Sequence, residues 1–204
     1  MTRETGSEVK STVIGLTTLI TQVLSQTSED QIDDFLNMIT AHKNDKILVM
    51  GAGRSGLVGR AFALRLLHLG YQVHILGDTL VPSIGDKDLV IAISGSGSTK
   101  LVTAAADAAK AVGSTVIAMT SYPDSPLGKL ADYIVQLRGR IMGGEAGRQD
   151  YFARQILGLH EPLAPLGTLF EDSCMILLDA IVSVLMEKYR LSEEELNKRH
   201  ANIE

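Results

Sequence analysis

From residue 46 to about 137 the chain alternates short, almost wholly apolar runs with longer stretches of helical periodicity. Lys46-Ile47-Leu48-Val49-Met50, Gln72-Val73-His74-Ile75-Leu76, Asp88-Leu89-Val90-Ile91-Ala92-Ile93, Thr115-Val116-Ile117-Ala118-Met119 and Tyr133-Ile134-Val135-Gln136-Leu137 read as five strands. Between them the spacing predicts helices over about 54–69, 99–112 and 125–131. Strands this apolar are covered on both faces, and strands separated by helices form a parallel sheet. The expected fold class is α/β, a doubly wound five-stranded parallel sheet.

Two amphipathic helices precede the first strand. Val9, Val13, Leu16, Ile20 and Val23/Leu24 recur at helical spacing within 7–26, and a second helix over about 29–42 opens on Ser28, with Asp30 and Gln31 behind it. They predict an N-terminal helical hairpin that packs on something else, another subunit being one candidate. Residues 139–165 are irregular, rich in Gly and Pro, and too long for a plain connector. A long helix over about 167–189 and a tail over 191–204 complete the chain. Neither a solenoid repeat nor a low-complexity segment is present. The expected organisation is one domain over 1–204: N-terminal helices at about 7–42, a sheet core at about 46–138, and a C-terminal helix and tail at about 167–204.

Composition narrows the partners. A formal net charge of −5 with no basic tract argues against nucleic acid or an anionic membrane as the main partner. Cys174 is the single cysteine, so no intramolecular disulfide forms and the chain suits a reducing compartment. It lies in an apolar helical run, as a packed thiol does rather than a nucleophile. The first residues hold no uninterrupted apolar core of a secretory signal, and no stretch approaches the roughly 18 apolar residues of a membrane span. A cytoplasmic protein is expected.

Two glycine loops carry the candidate chemistry. Gly51-Ala52-Gly53-Arg54-Ser55-Gly56 follows the first strand and opens a helix, the context of a dinucleotide fingerprint, and Asp78 lies where a ribose-binding carboxylate would sit. Arg54 and Ser55, however, place a cation and a hydroxyl where a pyrophosphate-hugging loop offers backbone. A chain of this length also leaves no room for a substrate domain after a full dinucleotide domain. The loop is therefore expected to bind, but not a nicotinamide dinucleotide.

The second loop, Ser94-Gly95-Ser96-Gly97-Ser98-Thr99, joins a buried strand to a helix and reads as an anion cradle. Gly95 and Gly97 permit positive φ and free the loop of Cβ atoms, so that amides can point inward. The following helix N-terminus adds donors and its positive dipole end. Ser94, Ser96, Ser98 and Thr99 add hydroxyl donors. Lys100 falls on the helix, so this is not a Walker loop. Both loops end strands at the carboxyl edge, where open α/β sheets bind ligands, which suggests one compact phosphorylated ligand.

Together these two loops resemble the sugar isomerase (SIS) domain. Pro165-Leu166-Gly167-Thr168-Leu169-Phe170-Glu171 and Lys198-Arg199-His200-Ala201-Asn202 narrow the resemblance, which covers nearly the whole chain, to the 6-phospho-3-hexuloisomerase family. The resemblance implies a flavodoxin-like sheet and a homotetramer. It also implies interconversion of D-arabino-hex-3-ulose 6-phosphate and fructose 6-phosphate in the ribulose monophosphate pathway, with no metal or nucleotide cofactor. The segment from Gly139 to Leu163 is longer than in the shortest relatives, which leaves open whether Glu145, Arg148 and Arg154 border the site.

Moving a carbonyl from C3 to C2 requires a base over both carbons, and one buried carboxylate suffices. Glu171, near the start of the long apolar helix, is the first candidate, and the resemblance assigns the proton acceptor to this motif position. The alternative is a helix-start carboxylate favoured by the dipole. His200 is the second candidate, able to move protons between the two oxygens or help open the furanose ring, and placed on a tail that can reach a neighbouring subunit's site. The substrate-binding candidates are Gly53, Arg54, Ser55, Ser94, Gly95, Ser96, Gly97, Ser98 and Thr99. His68 and His74 read as structural, His42 as a helix-end cation, and His160 as open. No His/Cys/Asp grouping has metal-ligand spacing. The competing expectations are a sugar-phosphate-binding regulatory module and another aldose-ketose phosphate isomerase of the same domain type.

Overall fold

Period-2 alternation along the central strands sets the architecture. In strand β1 (Lys46–Gly51) Ile47 and Val49 enter one core while Leu48 and Met50 enter another. Strand β3 (Leu89–Ile93) repeats the division, with Leu89, Ile91 and Ile93 on the first side and Val90 and Ala92 on the second. A sheet with two apolar faces needs helices on both, and a computed structural model, which describes residues 2–139 and 167–197, places them there.

The five strands, completed by β2 (Gln72–Ile75), β4 (Thr115–Thr120) and β5 (Tyr133–Gln136), are all parallel in the order β2-β1-β3-β4-β5. This is the flavodoxin-like order, whose direction of winding reverses between β1 and β3. The first face is covered by α1 (Thr2–Ser25), α2 (Glu29–Ala41), α3 (Gly53–His68) and α6 (Thr168–Tyr189). The second face carries α4 (Lys100–Ala111) and the short α5 (Pro126–Leu130). A last short helix, α7, spans Glu193–Asn197.

The five strands and the helices read from the sequence all form, with ends differing by a few residues at most. The largest difference is at the N-terminus, where α1 starts at Thr2 rather than near residue 7. The N-terminal hairpin packs on this chain's own core: Ile20 and Val23 of α1 and Phe35 and Ile39 of α2 are buried in the first cluster, and Phe35 stacks on Phe62 of α3 at 6.2 Å between ring centroids. Ser28 caps α2, accepting from the Gln31 amide at 3.4 Å, and the Gln31 side chain accepts from the Gln136 amide of β5 at 2.9 Å. His42 closes α2 as its C-cap, its ring Nδ1 2.8 Å from the Met38 carbonyl oxygen.

The edge of the sheet opposite the two glycine loops is tied by buried polar groups. Asp88 accepts from the amides of Lys46 (3.0 Å) and Gly85 (2.8 Å) and pairs with the Lys46 ammonium at 3.2 Å. Burial pushes its pKa up, but these donors outweigh burial and hold it below the ordinary carboxylate value. Nearby, the Lys43 ammonium lies 3.8 Å from the Tyr71 ring centroid, and the Tyr71 and Tyr189 hydroxyls meet at 2.9 Å. That clamp fastens the end of α6 to the turn before β2.

Candidate active site

Strands β1 and β3 are neighbours in register, Gly51 opposite Ile93, so the loops leaving them emerge side by side at the carboxyl edge. They flank the point where the winding reverses, the place an open α/β sheet offers a ligand.

The first loop turns into α3 at Gly53, whose φ of 57° is left-handed and suits glycine. A Cβ on Gly51 would lie 2.9 Å from the Ser55 carbonyl, so strand and helix meet there with no room for a side chain. Arg54 and Ser55 stand on the first turn of α3. Arg54 points outward, its side chain 55% exposed, while Ser55 is buried.

The second loop is held from below through its carbonyls. Gly95 O accepts from the Ser121 amide (3.1 Å) and the Thr120 hydroxyl (3.4 Å), and Gly97 O accepts from the Leu127 amide (2.9 Å). Within the loop the Gly97 amide donates to Ser94 O at 3.0 Å, closing it as a turn at the N-terminus of α4. Gly97 takes the expected positive φ, 61°, and its missing Cβ makes room for Ser125 and Thr120.

Two expectations for this loop are corrected. Gly95 does not adopt positive φ; it is glycine because the Phe170 ring lies against it, 2.9 Å from where a Cβ would be. Ser94 does not offer a free hydroxyl, since it is 4% exposed and its Oγ meets Thr99 Oγ1 at 3.2 Å beneath the loop. Ser96 Oγ accepts from the Ser98 amide at 3.3 Å, an internal brace. Lys100 is exposed at the start of α4.

Helix α6 joins the two loops. Its first residues Leu169 and Phe170 are buried, which fixes the helix against the sheet, and the next residue, Glu171, projects toward the first loop. The Arg54 Nε–H donates to Glu171 Oε2 at 2.6 Å, and Ser55 Oγ lies 3.5 Å from Glu171 Oε1. The Glu171 side chain is only 12% exposed. The same guanidinium donates through Nη2 to Asp172 Oδ1 at 3.1 Å. The hydrogen bond to Glu171 raises the Arg54 pKa above its ordinary value against the opposing effect of burial, so the cation is permanent.

Glu171, Arg54 and Ser55 are thus in contact, and Phe170 seats Gly95 of the second loop beside them. A carboxylate, a cation and a glycine-serine loop at a helix N-terminus lie together. Such a set can bind a phosphate, accept a proton from carbon and stabilise an oxyanion. His200, Glu145, Arg148, Arg154 and His160 lie outside the described residues.

Asp172, Ser125 and Thr120 escaped the sequence reading. For Asp172 the signal is a second acid directly after Glu171 at the head of an otherwise apolar helix. For Ser125 and Thr120 none exists, because their role depends on which strand lies beside β3. Cys174 is fully buried, as expected of a packed thiol, and burial raises its pKa well above the ordinary value, the nearby Glu171 adding to the effect.

The dinucleotide reading finds its carboxylate engaged. Asp78 pairs with Arg60 at 2.8 Å, on the rim of a groove of about 460 Å3 lined by Arg60, Leu64, Leu67, His74 and Leu80 on the β2 edge, away from the second loop. Among the described residues no group of three His, Cys, Asp or Glu gathers as metal ligands, and no helix is long and apolar enough to cross a membrane.

Comparison with known proteins agrees with this architecture. The family model of the SIS domain matches residues 40–141. A protein of Aeropyrum pernix is 50% identical over 198 residues, 96% of this chain and 92% of that one. The 3-hexulose-6-phosphate isomerase of Bacillus subtilis is 38% identical over 181 residues, 89% of each chain. Among solved structures, a Methanococcus jannaschii protein, for which a molecular function of 3-hexulose-6-phosphate isomerase has been inferred, superposes with a TM-score of 0.74 at 30% identity. That match covers 97% of this chain and 99% of the other. The chain belongs to the SIS domain family, among the relatives of the 3-hexulose-6-phosphate isomerases.

Proposed function

We propose that this chain is a sugar-phosphate isomerase that interconverts D-arabino-hex-3-ulose 6-phosphate and fructose 6-phosphate, a step of the ribulose monophosphate pathway. The observation that carries the reading is the position of Glu171. Its carboxylate sits at the joint of the two loops, 2.6 Å from a cation and largely shielded from water. The names of relatives at 38% and 37% identity support the substrate.

In this reading the second loop, with Ser96, Gly97, Ser98 and Thr99 at its mouth and Ser94 and Gly95 as its floor, takes the phosphate. Gly53, Arg54 and Ser55 border the sugar. Glu171 removes the proton from C2 of the 3-ketose, and the electron pair moves to the C3 carbonyl, giving a cis-enediol. Proton transfer between the oxygens, assigned to His200, and return of the carbon-bound proton at C3 leave the carbonyl at C2. Arg54 lies where the developing oxyanion needs a cation. The reaction neither oxidises nor reduces the substrate as a whole and needs no cofactor. The whole chain, 1–204, acts as one SIS domain in the cytoplasm, as a homotetramer.

A coupled assay tests the proposal. Formaldehyde, ribulose 5-phosphate and a hexulose-phosphate synthase generate the substrate, and fructose 6-phosphate is followed. Product formation proportional to enzyme is expected, and no product at high enzyme concentration would overturn the reading.

A further inference from the structure

Arg54 does not pair with Glu171 alone. Its guanidinium bridges two carboxylates of unequal exposure: Nε donates to Glu171 Oε2 at 2.6 Å and Nη2 to Asp172 Oδ1 at 3.1 Å. The Glu171 side chain is 12% exposed and the Asp172 side chain 40%. A cation held on the carboxylate competes for the lone pairs that a carbon-bound proton needs. An arginine with five donors in a planar fork can turn from one partner while keeping the other.

We propose that Asp172 is a positioning residue of the isomerisation, holding the Arg54 guanidinium by its outer edge so that Glu171 is freed to act when the sugar phosphate arrives. The inference rests on the reading of Glu171 as the base. Asp172 acts through that cation. It offers Arg54 a second anion, so the cation is shared rather than fixed on Glu171. The charged or titratable groups that face Glu171 among the described residues are Arg54 from α3 and, from α6 itself, Asp172 and the buried Cys174 thiol. The hydroxyl of Ser55 is a further polar contact of Glu171.

Asp172→Asn removes the charge and keeps the shape. Arg54 is then committed to Glu171. We expect kcat at neutral pH to fall about tenfold, with KM changing by less than about threefold. Asp172→Glu, which restores the charge, is expected to recover most of kcat. An Asp172→Asn protein that keeps kcat would overturn the role of Asp172, whatever its melting temperature. So would a loss confined to KM. Failure of the underlying reading is distinguishable: wild-type protein without turnover, or a fully active Glu171→Gln, overturns both.

Discussion

The ring of Phe170 fills the space that any side chain at residue 95 would need. A Cβ on Gly95 would lie 2.9 Å from Phe170 Cδ1 and 3.2 Å from Cγ, and the ring is itself buried against the sheet. The phosphate-loop candidate and the helix bearing Glu171 are therefore one packed unit. Whatever moves the loop moves the residue next to the carboxylate.

Gly95→Ala is expected to cost about 1–3 kcal/mol, the range for overpacking a filled site, and to raise KM for the sugar phosphate. Denaturant melts and steady-state kinetics measure the two effects. Phe170→Leu in the same chain should recover part of both, because a smaller side chain yields to the new methyl. An alanine variant as stable and active as the parent would show that loop and ring are not in contact.

Glu171→Gln keeps the shape of the side chain and removes the proton acceptor. Turnover in the coupled assay should fall by about 10²–10⁴-fold, the usual contribution of a positioned base. Binding of fructose 6-phosphate, followed by its shift of the melting temperature, should persist. Unchanged turnover would exclude Glu171 as the base.

Asp88 makes stability depend on pH. Its folded-state pKa lies below the ordinary value of 3.8, because the donors of Gly85 and Lys46 outweigh burial. The corresponding stability is fully present above about pH 4 and is lost as pH falls through the lower folded-state value. Asp88→Asn is expected to cost about 1–3 kcal/mol at pH 7 by leaving buried amide donors poorly matched. The gap between variant and parent should narrow on acidification below pH 4. Parallel urea melts at pH 7 and pH 3 check this, and a constant gap would contradict it.

Cys174 is fully buried, and burial holds its thiol protonated. Reaction with a thiol reagent at pH 8 should be negligible in the native protein and rapid once the chain unfolds in guanidinium. Fast labelling of the native state would mean that the middle of the core-facing side of α6 opens to water.

The sheet was legible along the chain because each strand is a short apolar run bounded by polar or glycine residues, and each helix between them keeps a 3.6-residue period. Those are local signals, and they mark the kind and order of the sheet's elements, though not the short helix α7 in the tail. Paired glycines at the ends of two strands, Gly51/Gly53 and Gly95/Gly97, likewise marked the loops. The pairing of Arg54 with Glu171 spans 117 positions and has no local trace. The resemblance of the Gly-Thr-Leu-Phe-Glu motif pointed to the glutamate, but not to its partners.

The sequence by itself determined an α/β chain with two glycine loops at strand ends and an acid at the head of a long apolar helix. Only the tertiary structure decided that β1 and β3 are neighbours, which sets the loops side by side. It also decided that Gly95 is small for the sake of Phe170 rather than for its own φ, that Ser94 is buried in the loop floor, and that Arg54 is divided between two carboxylates. The physical reason is range. Periodicity and turn chemistry act over a few residues, whereas strand order, close approach and charge pairing depend on which distant surfaces burial brings together.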